Sequence, residues 1–155
     1  MLGRTYEGQN CSAARSLELI GERWSLLIVR DAVFGGTTRF ADFQRSLGIA
    51  RNILAARLDR FVEEGIMERR LYSERPAHHE YVLTEKGRDL QTIILALTRW
   101  GDRWAAPAGP PVLFEHVDCG GRPEQQLVCT VCGDTTTPDQ VVSRPGPGAT
   151  APAAA

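Results

Sequence analysis

Apolar residues recur at spacings of three and four through most of the first hundred positions, and that period predicts helices. Leu17, Leu19, Ile20, Trp24, Leu27, Ile28 and Phe34 form such a stripe, interrupted at Gly21. Two helices are expected there, over about 12–20 and 22–33, the second stopped by Gly35-Gly36. Trp24 is either a core residue or a wall of a ligand pocket. Thr37-Thr38 offer hydroxyls to cap a next helix over about 39–46, with Phe40, Phe43 and Leu47 facing inward. Leu47-Gly48-Ile49 is a short turn. A further helix over about 50–64 carries the stripe Leu54, Leu58, Phe61 and Val62 and ends at Gly65.

The period then changes. Residues 66–72 read as a strand and 80–83 as its partner, with Ser-Glu-Arg-Pro-Ala-His-His between them and Pro76 fixing the turn. Thr84 caps a last helix with Glu85 in its first turn, where the helix dipole favours acid. Helix, turn, helix, strand, turn, strand over 38–83 is the order of a winged helix-turn-helix, a mainly α fold with a small β-wing (α+β). The last helix bears a longer apolar stripe than so small a domain can bury: Leu90, Ile93, Ile94, Leu97, Trp100 and Trp104. We read Leu90, Ile94, Leu97, Trp100 and Trp104 as a dimer interface; a ligand pocket or packing within one chain are the alternatives.

The polar side of the 50–64 helix carries the candidate chemistry. Arg51, Asn52, Ala55 and Ala56 occupy its N-terminal half. Small side chains let a backbone sink into a DNA major groove, Asn can bond adenine bidentately, and Arg can do so to guanine. Asp59, Glu63 and Glu64 crowd the other half and would repel phosphate, so the N-terminal end is expected to enter the groove. A plain solvated helix face is the competing reading; the flanking Arg39, Arg45, Arg57 and Arg60 favour DNA. Arg69, Arg70 and Arg75 make the hairpin basic, with Arg75 at its tip, and His78 is a further candidate contact. His78 and His79, as strand neighbours, point to opposite faces and are poor joint ligands for one metal.

Composition adds limits. The 155 residues suffice for one domain plus an appendage, and a net charge of −1 leaves a local basic face as the route to nucleic acid. Lys86 is the one lysine, so the positive charge is arginine; bidentate recognition and a GC-rich genome explain this equally well. No membrane span or signal core is read, so the cytoplasm is expected, and the four cysteines read as metal-binding or reactive before disulfide-forming. There is no Ser/His/Asp grouping, phosphate-cradling glycine loop or open metal site, so an enzyme is not expected.

After Trp104 a Pro/Gly linker leads to His116-x-x-Cys119-Gly120 and Cys129-x-x-Cys132-Gly133. Each is the spacing of a metal-binding knuckle. His116, Cys119, Cys129 and Cys132 together offer four tetrahedral ligands on a short zinc-ribbon-like hairpin, a closed and therefore structural zinc site. A Cys129–Cys132 redox pair or a metal-free hairpin are the alternatives. The expected organisation is 11–105 for DNA binding and dimerisation, 112–142 for the zinc hairpin and 143–155 as a disordered low-complexity tail.

The landmarks form a familiar set: Cys11 ahead of the first helix, Ile20-Gly21-Glu22-Arg23-Trp24, Arg39-Phe40-Ala41-Asp42-Phe43, Arg57-Leu58 through Phe61, Glu63-Glu64-Gly65-Ile66, and Glu80-Tyr81-Val82-Leu83-Thr84-Glu85-Lys86-Gly87. In order and spacing this resembles the HxlR family of bacterial transcription regulators, relatives of the MarR group. The resemblance implies a winged-helix homodimer on a near-palindromic double-stranded operator, acting as a repressor of a neighbouring gene. It also implies an oxidant, electrophile or small-molecule effector, with Cys11 as a candidate redox sensor. Arg15, one turn on, could stabilise a thiolate; a small buried residue is the other reading of Cys11. Many family members have Ser-Pro where this chain has Ala50-Arg51, so no operator sequence is carried over. The competing function is a winged-helix protein-interaction module with a zinc-stabilised docking tail that does not read DNA.

Overall fold

The computed structural model describes residues 6, 8–74 and 76–149. Its contacts divide the chain into two compact units, residues 1–98 and 99–155. The division falls inside the last helix, ahead of the Pro/Gly linker where the sequence suggested it.

The first unit begins with α1 (Ser12–Ile20) and α2 (Ser25–Phe34). α2 starts three residues later than the expected 22, because Trp24 adopts a left-handed backbone, φ 81°, that no continuing helix accepts. Trp24 is half-buried and packs against the core, with the Arg23 guanidinium 5.2 Å over its ring. α3 (Phe40–Leu47) and α4 (Arg51–Glu63) follow, joined through Gly48 at φ 61°, a left-handed turn that a side chain resists. The expected threonine cap of α3 does not form. Arg39 is its N-cap without a side-chain bond, and the Thr38 carbonyl instead accepts the Tyr81 N–H at 2.7 Å.

β1 (Met67–Glu74) and β2 (Ala77–Leu83) pair antiparallel, Met67 opposite Leu83 and Glu74 opposite Ala77. Both run further toward the tip than the alternation alone indicated, leaving only positions 75 and 76 between them. Arg39 bridges to Glu80, so the chain entering α3 adds a short third rung beside β2.

The core is a single cluster: Ile28 and Val29 of α2, Phe43 of α3, Leu54, Leu58 and Phe61 of α4, then Ile49, Ile66, Met67, Tyr81, Leu83 and Ile94. Ile20 of α1 joins them. Burying a Leu- or Phe-sized side chain contributes about 1.5–3 kcal/mol, so this intersection of the five helices and the wing base holds the unit together. The seam after α4 is also held by polar contacts. The Thr84 hydroxyl donates to the Gly65 carbonyl at 2.6 Å and accepts the Gly87 N–H at 3.2 Å, capping α5 (Glu85–Trp104) as expected. Lys86 Nζ donates to the Glu64 carbonyl at 2.6 Å. Gly87 is buried so close to the Ile66 carbonyl that a Cβ would collide with it.

α5 corrects part of the expected dimer surface. Ile94 is 4% exposed and Leu90 is half-buried against the same core. Ile94 is thus taken up within the monomer, while Leu90 packs on the core and keeps part of its surface. Leu97, Trp100 and Trp104 are exposed at 51%, 61% and 65%, and Ile93 joins them.

In the second unit a two-rung hairpin, β3 (Leu127–Val128) with β4 (Thr135–Thr136), precedes a 3-10 turn at Pro138–Gln140. Part of the tail read from sequence as disordered, 150–155, lies outside the described residues.

Candidate nucleic-acid interface

The start of α3, the start of α4 and the wing enclose an open groove of about 510 Å³, lined by Arg39, Phe40, Arg45, Arg51, Tyr72 and His78 among others. Four elements converge there because the Thr38–Arg39 backbone is stitched to β2 while Gly48 turns α4 back beside α3.

The candidate DNA residues divide into sets by their partners. Arg39 and Arg51 lie over aromatic rings, Arg39 at 4.7 Å from the Tyr72 centroid and Arg51 at 5.1 Å from that of Phe40. Among the described residues neither has an ion pair. Arg45 pairs with Asp42 at 3.1 Å, both exposed, and remains on the rim. Arg70 pairs with Glu68 at 3.4 Å and reaches Glu80 at 4.0 Å. Arg75 lies outside the described residues. His78 stacks on Tyr72, centroids 5.7 Å apart, and His79 Nδ1 lies 3.2 Å from an Arg69 nitrogen; the neighbours have different partners, though both line the groove.

Arg57 and Arg60 do not join the groove. Arg57 Nη2 donates to Glu22 Oε2 at 2.7 Å, and Arg60 pairs with Glu64 at 2.7 Å. Both line a different depression, between α4 and α1, together with Ala56. At 100° per residue Arg57 is turned well away from Arg51, so one helix cannot send both into one groove. Asn52 is exposed on the first turn of α4, Ala55 is half-buried and Ala56 is exposed. Tyr72 was not among the sequence candidates. The signal that could have found it is an aromatic in a basic hairpin, but alternation alone does not say which way it points.

Cys11 is the exposed N-cap of α1. The backbone N–H groups of Ala14 and then Ala13 face its sulfur and hold the thiol below the usual cysteine value. The Arg15 guanidinium goes to Asn10 Oδ1 at 3.0 Å instead. The thiolate is thus favoured by helix-end amides and not by the arginine.

Both tail knuckles are formed. Gly120 N–H donates to the His116 carbonyl at 2.8 Å and Gly133 N–H to that of Cys129 at 2.9 Å, with the two glycines at φ 69° and 78°. His116 Nδ1 lies 3.3 Å from Cys119 Sγ. The Cys129 thiol is held low by the backbone N–H groups of Cys132 and Val131 and by the Cys132 side chain. The structure brings each pair together but not the four: among the described residues no three His, Cys, Asp or Glu side chains converge on one metal position. The first turn closes on the Gly121 carbonyl, and the second caps the β3–β4 hairpin.

The model of the HxlR-like helix-turn-helix family matches residues 19–108. An uncharacterized HTH-type transcriptional regulator of Mycobacterium tuberculosis, Rv3095, is 47% identical over 148 residues, 95% of this chain and 92% of its own. The crystal structure of PA1607 superposes with a TM-score of 0.78 at 42% identity, covering 90% of this chain and 99% of that one. The redox regulator HypR in its reduced form gives 0.55 at 31% identity over 60% of this chain and 92% of its own. The first two alignments extend past residue 108, so the tail is shared with some relatives and lies outside the family segment. Among the described residues no helix is long and apolar enough to cross a membrane.

Proposed function

The chain belongs to the HxlR-like helix-turn-helix family of DNA-binding transcription regulators, which are not enzymes, and from that premise we propose that it is a homodimeric repressor whose groove receives the DNA backbone beside α4. The observation that carries the proposal is the pair Arg39 and Arg51. Their guanidinium groups rest on ring faces, so their N–H donors stay free for phosphate or base edges. Asn52, exposed on the same turn as Arg51, is assigned to base readout, and Arg45, Arg70 and His78 to the rim. The exposed Leu97, Trp100 and Trp104 support pairing with a second copy, which suits a two-fold operator. Such a regulator works where the chromosome is, which assigns it to the cytoplasm.

Cys11 is assigned as the redox-responsive group. Its exposure, its lowered pKa and the likeness to a redox regulator support this. Zinc remains part of the proposal as a structural ion. Cys119, Cys129, Cys132 and His116 are soft and borderline donors on two formed turns, and one ion would require those turns to close on each other. Metal content of the purified chain, compared with that of Cys129→Ser, tests the zinc assignment.

The experiment for the whole reading is a gel shift on DNA upstream of the protein's own gene, against scrambled competitor, with and without oxidant. Salt-sensitive, sequence-preferring binding that Arg51→Ala abolishes is expected. Binding that ignores sequence and survives Arg51→Ala would instead favour a docking module.

A further inference from the structure

Several arginines of the first unit have a carboxylate partner. Arg30, Arg45, Arg57, Arg60 and Arg70 are each within 4.0 Å of an Asp or Glu oxygen. A carboxylate neutralises the cation and occupies N–H donors that a phosphate would otherwise share. Arg39 is held differently, with its guanidinium 4.7 Å from the Tyr72 ring centroid. A ring face attracts the cation without accepting its in-plane N–H bonds.

The position of Tyr72 has a specific cause. Leu71 pairs with His79 and Ser73 with His78, so one residue of β1, Tyr72, has no partner in the ladder. A bulge of this kind bends a strand and re-aims one side chain. Here it places a ring, 43% exposed, against both Arg39 and the imidazole of His78 at 5.7 Å. The Arg39 backbone is itself bridged to Glu80 of β2. One tyrosine therefore ties the residue that leads into α3 to both strands of the wing.

We propose that Tyr72 is a positioning residue for DNA binding: it presents the Arg39 guanidinium, with His78 beside it, to a single backbone phosphate at the wing side of the groove. This rests on the groove being the DNA-facing surface. The tyrosine reads no base. It removes the freedom of a long side chain before DNA arrives, so the contact forms with less ordering cost.

The test uses the full chain and two duplexes, one from upstream of its own gene and one scrambled. Tyr72→Leu, which keeps bulk and removes the ring, is expected to weaken binding to both by about tenfold, the worth of one charge-assisted contact. The slope of log K against log salt should fall by about one phosphate. Tyr72→Phe should restore affinity. Arg39→Ala should lose as much as Tyr72→Leu, and the double variant should lose no more than either, since both remove one contact. Thermal unfolding of the Leu variant should match wild type, which separates positioning from folding. Additive losses, an unchanged salt slope, or failure of Phe to rescue would overturn the assignment of Tyr72 while leaving DNA binding intact. Wild-type chain that binds neither duplex would overturn the groove reading, and this inference with it.

Discussion

Arg57 of α4 donates to Glu22 in the turn between α1 and α2 at 2.7 Å, bonding residues 35 positions apart. The contact anchors the outer side of α4 to the N-terminal helices. The Arg57 side chain is 24% exposed and its Nε has no partner among the described residues, while Glu22 is 60% exposed, so the pair is only partly screened from water. A partly exposed pair contributes about 0.2–1 kcal/mol. Arg57→Ala is therefore expected to lower stability by that order in a denaturant melt, with DNA affinity changed less than about twofold, because a contact outside the groove carries no phosphate term. A tenfold loss of affinity would return Arg57 to the DNA face.

Asn52 stands exposed on the first turn of α4, ahead of the acidic half. Asn52→Ala is expected to cost about 1–3 kcal/mol on a specific operator and little on scrambled DNA, the mark of a lost bidentate base contact. Competition binding on both duplexes reads this out. Equal losses would make Asn52 a phosphate contact.

The two sides of α5 should respond differently. Ile94→Ala removes a buried side chain and is expected to cost about 2–5 kcal/mol of stability. Trp100→Glu or Leu97→Glu alters exposed positions. Either is expected to leave the monomer folded by circular dichroism while shifting sedimentation from dimer to monomer. A Trp100→Glu variant that still sediments as a dimer would place the interface elsewhere.

Cys11 titrates where helix-end amides favour its anion. A lowered pKa means the thiolate, the alkylating species, persists to lower pH than in a free cysteine. The rate of iodoacetamide labelling at Cys11 is therefore expected to rise with pH around a midpoint below that of free cysteine. The other three thiols must be replaced by serine, since Cys129 is also held low. Labelling that follows the free-cysteine curve would remove the chemical basis for sensing.

Much of the fold was legible in the chain because periodicity is a local property. Spacings of three and four located α1, α3 and α4 within a residue or so, Gly48 marked the tight turn, and Thr84 marked the cap of α5. The ordered landmarks gave the family. Local pattern could not show that Trp24 would turn left-handed and delay α2, or that the Thr38 carbonyl would be taken by Tyr81.

Charge and apolarity in sequence say what a residue can do, and partners decide what it does. From sequence alone Arg39, Arg45, Arg51, Arg57 and Arg60 were equivalent cations. Helix spacing alone puts Asp42 beside Arg45 and Glu64 beside Arg60, but tertiary structure placed Glu22 beside Arg57 and aromatic rings under Arg39 and Arg51. Likewise the stripe on α5 announced burial, but only packing against the core assigned Ile94 to the monomer and left Leu97, Trp100 and Trp104 outside it. The physical reason is the same in each case. A helix period fixes the direction of a side chain relative to its own axis, whereas the neighbour it meets comes from chain that is distant in sequence.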